Sequence, residues 1–314
     1  MKIFRSFNIP EIFFDSVIAI GNFDGVHLGH QEVINEATKI SRKKNKKVGV
    51  LTFEPHPKCF FKKKFNFFRL TPFRSKFELL SEMNIDFMIN IKFNSNFVKI
   101  SAEQFIKKYL IQTLKINHVV TGFDFVFGNK QKGDVKLMRR FSKKTNEFDF
   151  TEIPELKKSS SEISSSQIRS FLRNGKLEKA SKILSRNWSV VSRVIKGERK
   201  ARGLGFKTAN LKINAFCSLS KGVYMVEVFF FKENSKKKYF GIANYGIKPT
   251  FNKSEPLLEV HIFDFNKNIY RKKLRIDFIK FIRKEKKFES VEKLKDQIIK
   301  DIKLVKNDKL FKNN

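Results

Sequence analysis

The chain has 314 residues, 41% of them hydrophobic, with 66 Lys and Arg against 31 Asp and Glu and a formal net charge of +35. That length and apolar share support more than one packed core and exclude a disordered or fibrous chain. The charge draws polyanions, but its basic runs at 42–44, 62–64, 236–238 and 271–273 are dispersed, which excludes a single basic binding arm.

Phe, Lys, Asn and Ile, all with AT-rich codons, are abundant together, so we read the charge as raised by genome base bias; codon usage across other genes of the source tests this. Cys59 and Cys217 fall in different expected domains, which fits a reducing cytoplasm and no disulfide framework. His56 and Cys59 lack a second pair at ligand spacing, so they do not form a metal site. No leader opens the chain and no apolar run approaches membrane-spanning length, so a cytoplasmic protein without a membrane partner is expected.

In chain order, the apolar run 17–20 predicts a strand, and Val33, Ile34, Ala37 and Ile40 predict a helix. Between them lies Gly21-Asn22-Phe23-Asp24-Gly25-Val26-His27-Leu28-Gly29-His30. A strand, a glycine-bearing turn and a helix start let amides and a dipole end face an anion. Gly25 and Gly29 give a phosphate access to the main chain, and His27 and His30 can donate to it; a surface turn with two incidental histidines is the alternative. Strands follow at 48–53, 87–91 and 117–122. Helices are predicted around Phe77, Leu79, Leu80 and Met83, and from Ser101 through Phe105, Ile106, Tyr109 and Leu110. This alternation predicts a parallel sheet with ligand beyond the strands' carboxyl ends, where 21–30, 54–57 and 122–128 converge. The Phe residues at 123–127 either stack on a flat ring or fill core. Ser164, Ser165 and Ser166 at a helix start, with Arg169 a turn later, either cap that helix or bind phosphate oxygens.

Four motifs in this order, 21–30, 52–57, 122–125 and 163–169, resemble the adenylyltransferase half of the bacterial bifunctional riboflavin kinase/FAD synthetase family. The double-His motif alone is shared with other nucleotidyltransferases, and Ser166 stands where the family usually has Thr. The resemblance implies a Rossmann-like nucleotidyltransferase domain over 1–185. It implies catalysis by His27 and His30, with nucleotide contacts from Gly21, Asn22, Phe23, Asp24, Gly25, Gly29, Asp124, Ser165, Ser166 and Arg169.

Beyond Trp188 the pattern changes to short strands, at 190–195, 222–228, 239–244, 258–263 and 274–278, which predicts a small antiparallel β-barrel. Val291, Leu294, Ile298, Ile302 and Val305 have the spacing of a terminal helix. The motifs at 203–211, 222–224, 241–246 with 248–251, 259–261 with 264–265, and 283–288 resemble the family's riboflavin kinase, implied over 186–314. By that likeness Gly203, Gly205, Thr208 and Asn210 bind nucleotide, Thr208 and Asn210 hold Mg²⁺, and Glu259 is the general base on riboflavin. Lys207 replaces the family's Pro, and Arg199 and Ala201 interrupt its glycine-rich approach. Either Lys207 adds charge for ATP phosphates or the kinase half is weakened. A P-loop is rejected on spacing.

The expected substrates are riboflavin, FMN and ATP, with FAD as product, Mg²⁺ as cofactor, no nucleic-acid partner and a monomer or weak oligomer. A FAD synthetase with a decayed kinase is the nearest alternative. A basic RNA-associated protein is the third, motivated by charge alone.

Overall fold

All four residues of Val17–Ile20 are apolar and buried, the condition of a strand covered on both faces. The computed structural model describes residues 1–61, 68–158, 161–196, 205–231, 237–250 and 253–312. By internal contacts the chain forms two units, Met1–Phe65 with Thr71–Ser165, and Asn66–Leu70 with Ser166–Asn314.

In the first unit, β1 (Lys2–Phe4), β2 (Val17–Ile20), β3 (Val48–Glu54), β4 (Phe87–Lys92), β5 (His118–Gly122) and β6 (Asp149–Ile153) form one sheet in the order β1-β4-β3-β2-β5-β6. Every pairing is parallel. The chain winds outward from β2 through β3 to β4, then returns to place β5 on the other side of β2. That reversal puts the turn after β2 at the switch point of an open α/β sheet. Alternation along the strands feeds two cores. Ile18, Ile20, Leu51 and Ile89 pack with Phe105, Ile106 and Leu110; Val17, Ala19, Val50 and Met88 pack with Val33, Ile34 and Ala37 of α1 (Leu28–Lys43) and Leu80 of α2 (Phe73–Ser81). The predicted parallel sheet is therefore present.

The segment from Ser101 departs from expectation in its winding. Ser101 and Gln104 form a reciprocal capping box, each bond 3.1 Å, but Phe105–Thr113 is a π-helix, and Leu114 N–H still reaches back five residues to Tyr109 O. Its apolar residues share a face under either winding, so spacing alone predicts an ordinary helix. The sequence reading also passed over β1, β6 and α3 (Val135–Thr145). The edge strand β6, Asp149–Ile153, has a single buried residue and so no apolar run to announce it.

The second unit holds α4 (Ser165–Arg173) from Ser166 onward, α5 (Leu177–Leu184) and a closed barrel. Its strands are β7 (Ser189–Ile195), β8 (Ala209–Lys212), β9 (Gly222–Phe230), β10 (Lys238–Thr250), β11 (Lys253–Ile262) and β12 (Lys273–Lys284), closed in the order β8-β11-β10-β9-β12-β7 with antiparallel pairs throughout. Closure removes exposed edges. Along β9, Tyr224, Val226 and Val228 alternate with Val223 and Met225, and the latter pair packs with Val305 of α6 (Val291–Lys306). The predicted barrel and terminal helix are both present. Arg283 of β12 fixes that helix by bonds of 2.8–3.0 Å to Asp301, a carboxylate only 3% exposed that also accepts from Gln297 at 2.9 Å.

Candidate active sites

Gly21 follows the last residue of β2, and the next six residues contain three left-handed conformations: Phe23 (φ 49°), Gly25 (φ 96°) and Val26 (φ 43°). Gly25 adopts such a φ freely, whereas for a β-branched Val it is a genuine outlier. Strain of this kind persists only where surrounding contacts over-determine it. Here Gly25 N–H donates to Thr71 Oγ1 at 2.8 Å, Thr71 N–H donates to Asp24 Oδ1 at 2.9 Å, and Ser165 Oγ donates to Asp24 O at 2.8 Å. The Asp24 carboxylate is 1% exposed and holds Thr71.

α1 begins on His27, whose Nδ1 accepts from His30 N–H at 3.3 Å as an N-cap. An accepting Nδ1 leaves the proton of a neutral ring on Nε2, the hydrogen-bond donor that a phosphoryl oxygen requires. The two imidazoles are stacked, 3.6 Å between centroids at 19°, and Phe23 meets His30 edge-on at 5.4 Å. Gly29 matters for that stack, because a Cβ there would lie 3.3 Å from His27 Nδ1 and Cε1.

The remaining predicted residues of this set have distinct environments. Asp124 is exposed just past the end of β5. The Phe motif is divided: Phe127 is buried core, stacked on Phe125 at 5.3 Å, whereas Phe123 is exposed. Ser165 belongs to the first unit; Ser166 and Arg169, farther along the same helix, belong to the second. Within that unit Arg169 is 4% exposed, donates from Nε to Phe68 O at 2.8 Å, and lies 3.8 Å from the centre of the Phe68 ring.

Thr71 and Lys76 were missed. Lys76 sits on the apolar face of α2 among Phe73, Phe77 and Leu80 and is 1% exposed. A lysine at the centre of a hydrophobic stripe was the available signal.

In the barrel unit a cavity of about 260 Å³ is lined by Lys207, Thr208, Asn210, Val260, Phe265 and Lys267, among others. Thr208 and Asn210 are two apart approaching and within β8, and register places Asn210 opposite Glu259 of β11, which in turn faces Asn244 of β10. Asn210 is 7% exposed, and its Oδ1 has no hydrogen-bond partner among the described residues. Glu259 does not line the cavity; it adjoins it through Asn210. Lys207 does line it, with Nζ bonded to Asn266 Oδ1 and its carbonyl accepting from His261 Nδ1 at 2.9 Å. Gly205 stands in an open turn at φ 88°. Gly203, Arg199 and Ala201 lie outside the described residues. Among the described residues no group of three or more His, Cys, Asp or Glu side chains could hold a metal, and no helix is long and apolar enough to cross a membrane.

The FAD synthetase family model matches residues 10–167 and the riboflavin kinase model matches 184–308. The chain belongs to the bifunctional riboflavin kinase/FMN adenylyltransferase family. The protein of that name from Buchnera aphidicola subsp. Schizaphis graminum is 42% identical, over 98% of both chains. The Bacillus subtilis protein of the same name is 37% identical, over 91% of this chain and 90% of its own. A crystal structure described as a macrolide-efflux protein from Streptococcus pneumoniae covers 98% of this chain and 99% of its own, with a TM-score of 0.85 at 28% identity. Both family halves are present in this chain, in the order that its motifs predicted.

Proposed function

We propose that this chain phosphorylates riboflavin to FMN in residues 186–314 and adenylylates FMN to FAD, releasing pyrophosphate, in residues 1–185. The observation that carries the reading is near-complete coverage by two family models, with the double-His turn and the Thr208–Asn210 cavity each formed within the matching half.

In adenylyl transfer, an FMN phosphate oxygen attacks the α-phosphorus of ATP while the bond to the pyrophosphate oxygen breaks. His27 Nε2–H and the His30 ring stabilise the charge that grows on the transferred group, and their fixed stack costs no reorganisation as that charge develops. Gly21, Asn22, Phe23, Asp24, Gly25, Gly29 and Asp124 shape the nucleotide site, and Ser165, whose hydroxyl proton goes to Asp24 O, holds that turn in place. In riboflavin phosphorylation, Glu259 accepts the proton of the attacking 5′-hydroxyl as its oxygen bonds to the γ-phosphorus of ATP and the bond from that phosphorus to the departing ADP oxygen breaks.

Thr208 and Asn210 fit Mg²⁺. They offer two hard, neutral oxygen donors at the cavity wall, and the buried Asn210 Oδ1 needs a partner that the described protein does not supply. When bound, Mg²⁺ neutralises phosphate charge. Lys207, on the same wall, adds charge for the ATP phosphates. Two assays on the full chain, riboflavin with ATP and FMN with ATP, test the proposal: FMN must form in the first and FAD in the second. FAD from FMN without FMN from riboflavin would leave a FAD synthetase alone.

A further inference from the structure

A buried lysine is costly unless its ammonium is fully engaged, and α2 delivers one to the underside of the turn after β2. Lys76 Nζ donates to Asn22 O at 3.1 Å and to Thr52 Oγ1 at 2.9 Å, and lies 3.8 Å from Glu54 Oε2. Thr52 has one hydroxyl proton, directed to Asn22 O at 3.3 Å, so its oxygen accepts from the lysine. Two donors thus converge on a single carbonyl, and that carbonyl belongs to the peptide entering Phe23.

The orientation of that peptide plane sets φ of Phe23, which is left-handed at 49°. Phe23 in turn carries the ring that meets His30 edge-on, and His30 stacks on His27. The contacts form one line from Lys76 through Asn22 O and the Phe23 backbone to the His30 imidazole. The Asp24, Thr71 and Ser165 bonds brace the far side of the same turn. Asn90, the register partner of Thr52 on β4, is 5% exposed with an Oδ1 that has no partner among the described residues, a second buried polar group next to Thr52 in the sheet.

We propose that Lys76 is a positioning residue for adenylyl transfer: it holds the Asn22 carbonyl and so fixes Phe23 and, through it, the His30 ring. This rests on the assignment of His30 to that reaction. A merely structural lysine predicts lost stability, because a partner such as Glu54 is left behind. A positioning lysine predicts a lower turnover number with substrate binding kept, since displacing a reacting group by an ångström costs about 10²-fold.

The test compares full-length Lys76→Met, His30→Ala and the double variant for FAD formation from FMN and ATP, with circular dichroism and the melting transitions of the same chains as the fold reference and riboflavin phosphorylation as the activity of the other unit. The expected result is a kcat about 10²-fold lower for Lys76→Met, KM for both substrates within about threefold of the parent, and kinase activity unchanged. The double variant should be no slower than His30→Ala, because residues acting along one line are non-additive. Parental kcat in Lys76→Met, or costs that multiply in the double variant, would overturn the proposal. A parental His30→Ala beside an impaired Lys76→Met would overturn it as well and would, separately, remove His30 from the reaction. Should Lys76→Met fail to fold, Thr52→Val removes the shared hydroxyl with little change in volume. It should then lower kcat about tenfold with the same non-additivity towards His30→Ala, and parental turnover there overturns the proposal.

Discussion

His30 in the first unit and Asn210 in the second are polar groups to which the proposed function gives different reactions. His30 is pinned between the His27 and Phe23 rings, and its backbone N–H is consumed as the cap bond to His27, so His30→Ala removes the imidazole while leaving that cap bond formed. Removing one preorganised donor of this type lowers kcat by about 10²–10³-fold. FAD formation from FMN should fall by that factor while FMN formation from riboflavin is retained, and a coupled assay of both products on one preparation measures the ratio. Asn210→Leu gives the converse. It replaces a buried, unpartnered amide oxygen by a methyl of similar bulk, so the melting temperature should hold or rise while riboflavin phosphorylation and its Mg²⁺ dependence are lost. A variant that still phosphorylates riboflavin with the parental Mg²⁺ dependence would remove Asn210 from the metal.

The elements that carry these residues were legible where their signal was local. The run 17–20, the helix start and cap at Ser101, and the 3.6-residue spacing of Val33, Ile34 and Ala37 all follow from neighbours in sequence, and the structure contains each. Bracing of the double-His turn was not legible. Thr71 bonds Gly25 across 46 residues and Lys76 bonds Asn22 across 54, separations at which periodicity carries no information. The same holds for the lock on α6. Arg283 was read as part of a kinase motif, and its partner Asp301 sits among the apolar residues of a helix whose spacing announced only Val291, Leu294, Ile298, Ile302 and Val305. Because Asp301 is 3% exposed and Arg283 donates to both of its oxygens, Asp301→Ala strands a guanidinium against an apolar face. It should cost about 3–5 kcal/mol, whereas a paired Arg283→Met with Asp301→Leu should recover most of the loss. Denaturant midpoints of the three proteins decide it, and a single variant within 1 kcal/mol of the parent, roughly the median for an exposed pair, would reassign the pair to the surface class.

The two halves also differ in how acid acts on them. In the barrel, Asp277 stands opposite Glu227, with Arg275 bonded to it at 2.9 Å and Arg186 nearby; burial outweighs the arginines and pushes its carboxyl up to about 6. An unfolded Asp titrates near 3.9, so between about pH 4 and 6 the folded chain binds more protons than the unfolded chain, and stability falls as pH rises through that window. In the first unit Asp15 runs the other way. Its bond to Lys46 holds its carboxyl below the usual range, so its contribution is present at neutral pH and is lost only as pH falls below that range. Mild acid therefore favours the barrel, whereas in the sheet burial holds the His118 imidazole below its usual range, so the unfolded chain protonates first and the sheet loses stability as pH falls through that range. On going from pH 7.5 to 5.5, the temperature that inactivates riboflavin phosphorylation should rise relative to that which inactivates FAD formation, when residual activities are both read at pH 7.5 after the heat step. Asp277→Asn should raise the barrel's stability at pH 7.5, on the order of 1–3 kcal/mol from a shift of about two units at ~1.4 kcal/mol each, and reduce the pH difference to the part that His118 contributes in the sheet. Arg275 is 43% exposed and can be rehydrated, so its lost ion pair subtracts little from that gain. If the Asn variant keeps the parental pH response, the barrel's acid stabilisation lies with a group other than Asp277.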